Sequence, residues 1–321
     1  MIALQQLPTA PATTPRTRLS AGIAGASGYA GRELARILSD HPVLRLAMSQ
    51  ARSEGYAPLD ADQLALCDVV FLALPHGQSA EMGSRLRTAG TPVVDLGSDY
   101  RLDGDWAYGL PELFREEIAA SSFVANPGCY ATAALLALAP LVEAGLADPP
   151  IVIDGKSGVS GAGRTPTERT HLCEVDGGVQ PYTPVGHRHI SEIERSLGRL
   201  ADADVPVTFT PHLAPHARGL EVTCYVRLSS QISQGEAEAL YHARYAGEPF
   251  VDVVQSAHPA RLHGANGCHL GIWVDARTRT AIVAAAIDNL GKGAAGQAVQ
   301  NANLILGLPE TAGLTARGIG L

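Results

Sequence analysis

A chain of 321 residues with 32 acidic against 24 basic side chains, a formal charge of −8, argues against nucleic acid or anionic membrane as a general partner, although local arginines can still hold a small anion. Hydrophobic residues at 46% and charged residues at 17% describe a globular protein, and no run approaches the ~20 apolar residues that a bilayer span needs. The length exceeds the ~250–300 residues at which single cores stop growing, so two domains with a cleft are expected, while five dispersed cysteines favour a reducing, cytoplasmic compartment over a disulfide framework.

Residues 1–18, rich in Pro, Thr and Gln and without an apolar signal core, read as a loose tail. Leu19 to Gly25 then reads as a short apolar strand running into Gly25-Ala26-Ser27-Gly28-Tyr29-Ala30-Gly31, and Arg32 to Ser39 follows with helical spacing of Leu34, Ile37 and Leu38. Further buried-looking strands at Leu44–Met48, Asp68–Leu74 and Pro92–Leu96 alternate with helical segments such as Ser79–Ala89. That alternation predicts a Rossmann-type parallel α/β sheet with right-handed crossovers. From Ile151 onward, successive strands at 151–154, 205–211, 219–228, 270–275 and 280–287 predict an α+β domain with a mostly antiparallel sheet. Lys292 to Leu306 recovers a helical pattern and is expected to return to the first domain. The expected layout is therefore 19–128 for the dinucleotide domain, completed by 290–321, and 129–289 for the catalytic domain.

Glycines 25, 28 and 31 follow the first strand and open a helix, the context in which backbone approaches a pyrophosphate placed on the helix N-terminus. Ser27, Gly28, Tyr29 and Ala30 are therefore cofactor candidates; a mere packing turn is the bland alternative. After the second strand, where an NAD enzyme commonly sets an acid against the ribose 2′-hydroxyl, the chain offers Ser49, Arg52 and Ser53 before any acid. Arginine and serine suit a 2′-phosphate, which predicts NADP(H).

Cys129 stands where Asn126-Pro127-Gly128 gives way to an alanine- and leucine-rich helix. A helix N-terminus lowers a thiol's pKa and offers free N–H groups to an oxyanion, so the placement suggests a nucleophile attacking an acyl carbon, against the bland reading of a small buried residue. His187-Arg188-His189 adds two imidazoles and a guanidinium: acid–base groups near neutrality and an anion holder, or else a polar helix start. A metal is not expected, since histidines two apart lack an obvious third ligand.

The motifs Asp95-Leu96-Gly97-Ser98-Asp99-Tyr100-Arg101-Leu102, Gly109-Leu110-Pro111-Glu112, Asn126-Pro127-Gly128-Cys129-Tyr130 and Lys156 to Arg164 come in order after the glycine turn. So do His187-Arg188-His189, Pro211-His212-Leu213-Ala214-Pro215, Arg218-Gly219 and Asp288 to Gly293. Together they resemble the N-acetyl-γ-glutamyl-phosphate reductases of arginine biosynthesis, over nearly everything from Leu19 to Leu314. The resemblance implies Cys129 as nucleophile, His189 as acid–base with His187 kept beside it, and Arg101 near the phosphate. It brings Ser157 and Gly158, in the loop to Gly163, close to the nicotinamide, and Asn289 to the cofactor-facing start of the last helix. Arg101, Arg164 and Arg218 form the anion-binding pool, the alternative for each being an ordinary surface or interdomain salt-bridge residue, with Asn126 and His212 on the substrate side. Family members more often carry proline where this chain has Ala131, which bears on the choice of substrate.

The implied reaction is NADPH-dependent reduction of a small acyl phosphate to a semialdehyde through a cysteine thioester, by a homo-oligomer, dimer or tetramer. Rival readings are the same chemistry on a carrier-linked aminoadipyl or glutamyl phosphate or on aspartyl phosphate, a cysteine hydrolase or acyltransferase, and an NADP-binding redox sensor.

Overall fold

The computed structural model describes residues 18–319, so the expected tail lies, but for Arg18, outside the described residues. The first domain comprises β1 (Leu19–Ala24), α1 (Tyr29–Ser39), β2 (Leu44–Gln50), α2 (Ala61–Leu64), β3 (Val69–Leu72), α3 (Ala80–Ala89), β4 (Val93–Asp95), β5 (Ala107–Tyr108), α4 (Pro111–Ala119) and β6 (Phe123–Ala125). Its six strands run parallel in the order β2-β1-β3-β4-β6-β5. Val69, Val70, Phe71 and Leu72 are all buried, as expected of a strand covered on both faces. The order reverses between β1 and β3, and at such a switch point the strand ends leave a crevice for a ligand.

The second domain opens with α5 (Cys129–Glu143), whose residues from Tyr130 to Val142 are all buried. A helix apolar all round belongs inside a core, and each fully buried leucine there contributes about 1.5–3 kcal/mol relative to exposure. Around it lie β7 (Ala147–Gly158), α6 (Leu172–Val175), β8 (Gln180–Pro181), α7 (His189–Ala201), β9 (Val207–Ala214), β10 (Leu220–Leu228), α8 (Gln234–Arg244), β11 (Val251–Val253), β12 (Cys268–Asp275) and β13 (Thr280–Ile287). The sheet order is β11-β12-β13-β10-β7-β9-β8. Four of its pairings are antiparallel, but β7–β9 and β11–β12 are parallel. The first exception arises because the β7–β9 connection carries α7, a helical crossover that brings the chain back in the same direction.

The segment expected to complete the first domain is shorter in helix than its span. A π-turn over Gly291–Ala295 leads into α9 (Gly296–Ile305), and Leu306 onward is not helical. Ala295, Ala298, Val299 and Ala302 pack into the core of the parallel-sheet domain. Beneath the π-turn, the fully buried Lys292 donates to Glu112 at 2.6 Å and to Gln300 at 2.7 Å. Glu112, Glu248 and Glu310 approach one another there, and each is paired with Lys292 or Arg115 in an ion-pair network.

Candidate active site

A cleft of about 1180 Å³ runs from the glycine turn to Cys129. Gly25, at φ +92°, takes a left-handed conformation, and a Cβ there would come within 2.2 Å of the Ala73 carbonyl oxygen. Gly31 packs under the turn, where a Cβ would meet Gly25 O at 2.3 Å, so it supports the cleft without lining it. At Gly28 the nearest atom to an added Cβ is 3.5 Å away, which leaves the backbone open to a ligand. Three glycines thus do three jobs: turn, approach and packing.

Ser27, Tyr29, Ala30, Arg52 and Ser53 line this end. Ser53 donates to the Ser27 hydroxyl at 2.9 Å, and Arg52 donates to Gln78. Ser49 does not line it: β2 continues to Gln50, so Ser49 is still paired in the ladder, opposite Ile23. Arg164, assigned from sequence to the substrate pool, instead reaches back to this end and donates to the Ser27 carbonyl at 3.2 Å.

At the other end, Cys129 is the first residue of α5, with Gly128 as its cap. Gly128 is squeezed from two sides: a Cβ there would lie 2.2 Å from His189 Nε2 and 2.7 Å from Arg101 Nη1. His189 is 3% exposed and neither ring nitrogen has a hydrogen-bond partner among the described residues. An unpartnered polar group costs free energy when buried, and at the edge of a cleft it marks a place for a ligand atom. Burial, with Arg101 and His187 adding to it, holds the His189 imidazole neutral. Burial also lowers His187 to about 4, and its Nδ1 accepts the His189 backbone N–H at 3.2 Å. Both rings stand edge-on to Tyr130, which lies flat against β7 because Gly155 has no Cβ; one would meet the ring at 2.5 Å.

The Cys129 thiol is pushed up by burial and pulled down by Arg101, Arg188 and the Tyr130 backbone N–H. Burial wins, so the resting sulfur is a thiol that needs a base. Arg101 is buried and donates to Asn126 O at 2.9 Å, Leu96 O at 3.0 Å and Glu192 at 3.2 Å. Asn126 lines the cleft while its side chain holds α9, donating to Ala294 O at 3.3 Å and accepting from Asn301 at 3.0 Å. Asn289 lines it too, donating to Ser160 and accepting from the Gly219 N–H.

Besides Gly31 and Ser49, four further sequence-based candidates fall outside the cleft. Ser157 and Gly158 are still in β7, paired with β9 and β10, and the cleft is met by Ser160 to Gly163 beyond them. His212 faces away from the site, because strand side chains alternate and its neighbour Leu213 takes the cleft side; its Nδ1 lies 3.1 Å from Gly155 O. Arg218 is no anion receptor: its fork is taken by Glu33 at 2.7 Å and Asp288 at 2.6 Å, which clamps α1 to the second domain.

Sequence reasoning missed Glu192, Tyr182, His76 and Arg169, and read Arg188 only as an anion holder within the His187-Arg188-His189 cluster. Glu192 follows His189 by three residues, the spacing that puts both on one helix face, so that signal was available. The cleft as a whole is lined by five arginines, 52, 101, 164, 169 and 188, and by no aspartate, glutamate or lysine. In a chain of charge −8 this is a local inversion, suited to ligands with several negative charges.

Two family descriptions match the chain: semialdehyde dehydrogenase, NAD binding domain, over residues 20–121, and semialdehyde dehydrogenase, dimerisation domain, over residues 129–289. The N-acetyl-gamma-glutamyl-phosphate reductase of Moorella thermoacetica is 43% identical, over 94% of this chain and 99% of its own. That of Halorhodospira halophila is 44% identical, over 92% and 98%. Among solved structures, aspartate semialdehyde dehydrogenase II of Vibrio cholerae superposes with a TM-score of 0.74 at 20% identity, over 90% of this chain and 98% of that one. The Candida albicans aspartate semialdehyde dehydrogenase, solved with NADP, gives 0.67 at 15%, again over 90% and 98%. At those identities the two structures speak for the fold. No helix among the described residues is long and apolar enough to cross a membrane.

Proposed function

This chain belongs to the N-acetyl-γ-glutamyl-phosphate reductase family, within the semialdehyde dehydrogenases, and on that footing we propose that it reduces N-acetyl-γ-glutamyl phosphate to the 5-semialdehyde with NADPH through a thioester on Cys129. The observation that carries this reading is the meeting of a cysteine at a helix start with a buried imidazole, His189, whose ring nitrogens have no protein partner.

The residues at the glycine turn fit a dinucleotide with a 2′-phosphate. Gly28 leaves room for close approach, the start of α1 offers N–H groups, and Arg52 with Ser53 stands where an acid would otherwise repel the extra phosphate. Arg164, on Ser27 O, is close enough to the turn to share the pyrophosphate. When bound, the reduced nicotinamide supplies the hydride that the acyl carbon must gain.

His189, kept neutral, accepts the thiol proton, and the Cys129 sulfur attacks the acyl carbon. The carbon–oxygen bond to phosphate breaks with its electron pair, and Arg101 meets the departing phosphate from its fixed position. Once the thioester carbon has been reduced, protonated His189 gives its proton to the tetrahedral oxygen. It takes that proton back as the carbon–sulfur bond breaks and the aldehyde leaves. The N–H groups of the first helical turn are available to the oxyanion, except that of Gly128, which Glu192 holds. Self-association through the second domain is expected from the family description that it matches.

The test runs the reaction backwards, following NADP⁺ reduction with N-acetyl-glutamate 5-semialdehyde and phosphate. Phosphate-dependent NADPH formation that Cys129→Ser abolishes is the expected result. Activity confined to a carrier-linked or aspartyl semialdehyde would overturn the substrate, and turnover surviving in the serine variant would overturn the nucleophile.

A further inference from the structure

The π-turn at the head of α9 has neighbours of two kinds. Gly293 and Ala294 line the cleft, and a Cβ on Gly293 would lie 2.7 Å from that of Cys129. Lys292, between Gly291 and Gly293, runs instead into the interior. Its ammonium meets Glu112 in the first turn of α4, Gln300 further along α9, and the Phe250 ring, whose centre is 5.6 Å away. The turn itself is wide: the Gly293 N–H donates to Asp288 O and the Ala295 N–H to Leu290 O, each five residues back and each at 2.9 Å. This is the rare form of a helical turn, and a chain free of constraint takes the tighter α-helical ring. Burying an ammonium with a carboxylate is costly, and an uncharged pair of similar volume would fill the same space without that cost. The ion pair does what such a pair cannot, which is to tie the turn to α4 by directional bonds.

We propose that Lys292 is a positioning residue for the Cys129 sulfur: by tying the π-turn to Glu112 and Gln300 it holds Gly293 against Cys129 and keeps the sulfur aimed into the cleft. The inference rests on the reading above, in which that sulfur attacks the acyl carbon. Released from its tether, the turn relaxes towards α-helical geometry and Gly293 rotates off Cys129. A displacement of about 1 Å at a reacting atom is enough to cost about 100-fold in rate, so a residue that never touches the substrate can still govern turnover.

Lys292→Met alone leaves the Glu112 carboxylate buried without its cation, and a loss of stability is expected whatever the pair does for the sulfur. The decisive protein is the uncharged combination Lys292→Met with Glu112→Gln, in which Gln300 still donates to position 112 and still accepts from Asn266. Its denaturant midpoint should return close to the native one. Alkylation of Cys129 by iodoacetamide, read by mass spectrometry against the exposed Cys173 as internal standard, should nevertheless run about threefold faster or more, because the sulfur has lost the cover of Gly293. In the semialdehyde assay kcat should fall about tenfold or more while KM stays within about twofold. Native alkylation of Cys129 in this variant, or a loss of activity carried by KM alone, overturns the proposal and leaves the pair as scaffolding. Should the double variant not fold, Glu112→Gln alone, which keeps the side-chain shape, is expected to shift the alkylation the same way by less, and no shift there overturns the proposal. If the native chain shows no turnover while the alkylation shift is found, the reaction assignment falls and the hold of the turn on the sulfur stands.

Discussion

Glu192 accepts the backbone N–H of Gly128 at 2.8 Å, so the cap of the helix that begins with Cys129 is held by a carboxylate from the helix that begins with His189. The same carboxylate accepts from Tyr108 at 2.7 Å and from Arg101 at 3.2 Å. Three groups that border the first domain thus converge on one residue of the second, and a negative charge stands near the sulfur, opposing the pull of Arg101.

Glu192→Gln keeps an acceptor for Gly128 and removes the charge. Because Glu192 pushes the Cys129 thiol up, its neutral replacement should move the pH profile of Cys129 alkylation toward acid. Turnover should fall about tenfold or more as Arg101 loses its anchor. An alkylation profile that stays put or moves toward alkali would show that the carboxylate does not tune the sulfur.

Arg52→Ala should weaken NADPH binding about tenfold or more, the loss of one charge-assisted contact, and leave NADH binding within about twofold. Titrating both cofactors into both proteins decides it; equal losses would remove Arg52 from the 2′-phosphate.

Arg218→Ala should behave as a folding defect. It leaves Asp288 buried without its arginine and Glu33 with Arg36 alone, at a cost of about 3 kcal/mol, read as a lower denaturant midpoint. A variant of native stability with a raised KM for the acyl substrate would instead return Arg218 to the anion pool.

His41 gives the fold an acid-side weakness. It is fully buried, its Nδ1 accepts the Val43 and Leu44 N–H groups, and its Nε2 lies 3.1 Å from Asn303 Oδ1, so the neutral Nε2–H tautomer satisfies every partner. Burial lowers its pKa, so the unfolded chain takes up this proton first as pH falls. Its contribution is therefore complete above about pH 6.5 and is lost progressively below it, at up to about 1.4 kcal/mol per pH unit. Denaturant unfolding between pH 7.5 and 5 should show a shallower slope for His41→Gln than for the native chain; equal slopes would clear His41 of the effect.

The order and type of the main elements were legible because periodicity and glycine placement are local properties. The misplaced site residues have three physical causes. Ser49, Ser157 and Gly158 were read as loop, but their strands run on to Gln50 and Gly158, which carries the cleft-facing position beyond them. His212 lies in a strand where one step along the chain exchanges the two faces of the sheet, and sequence alone did not say which face was the site. Arg218 looked like a free cation because its partners stand 185 and 70 residues away. The inverted charge of the cleft was likewise hidden, since its five arginines are scattered from 52 to 188 among acids that point elsewhere.

The chain passes between its domains twice, at Gly128–Cys129 and at the π-turn, and the two passages touch: a Cβ on Gly293, within the π-turn, would lie 2.7 Å from that of Cys129. A pivot made of two adjacent crossings leaves its own axis nearly still. Any rotation of one domain against the other would therefore displace the sulfur least and the Arg164–Ser27 contact, far along the cleft, most. Opening of the cleft at its glycine-turn end need not disturb Cys129. Paired spin labels should show a broad distance distribution across residues 53 and 165 and a narrow one across the crossings, and the reverse pattern would locate the hinge elsewhere.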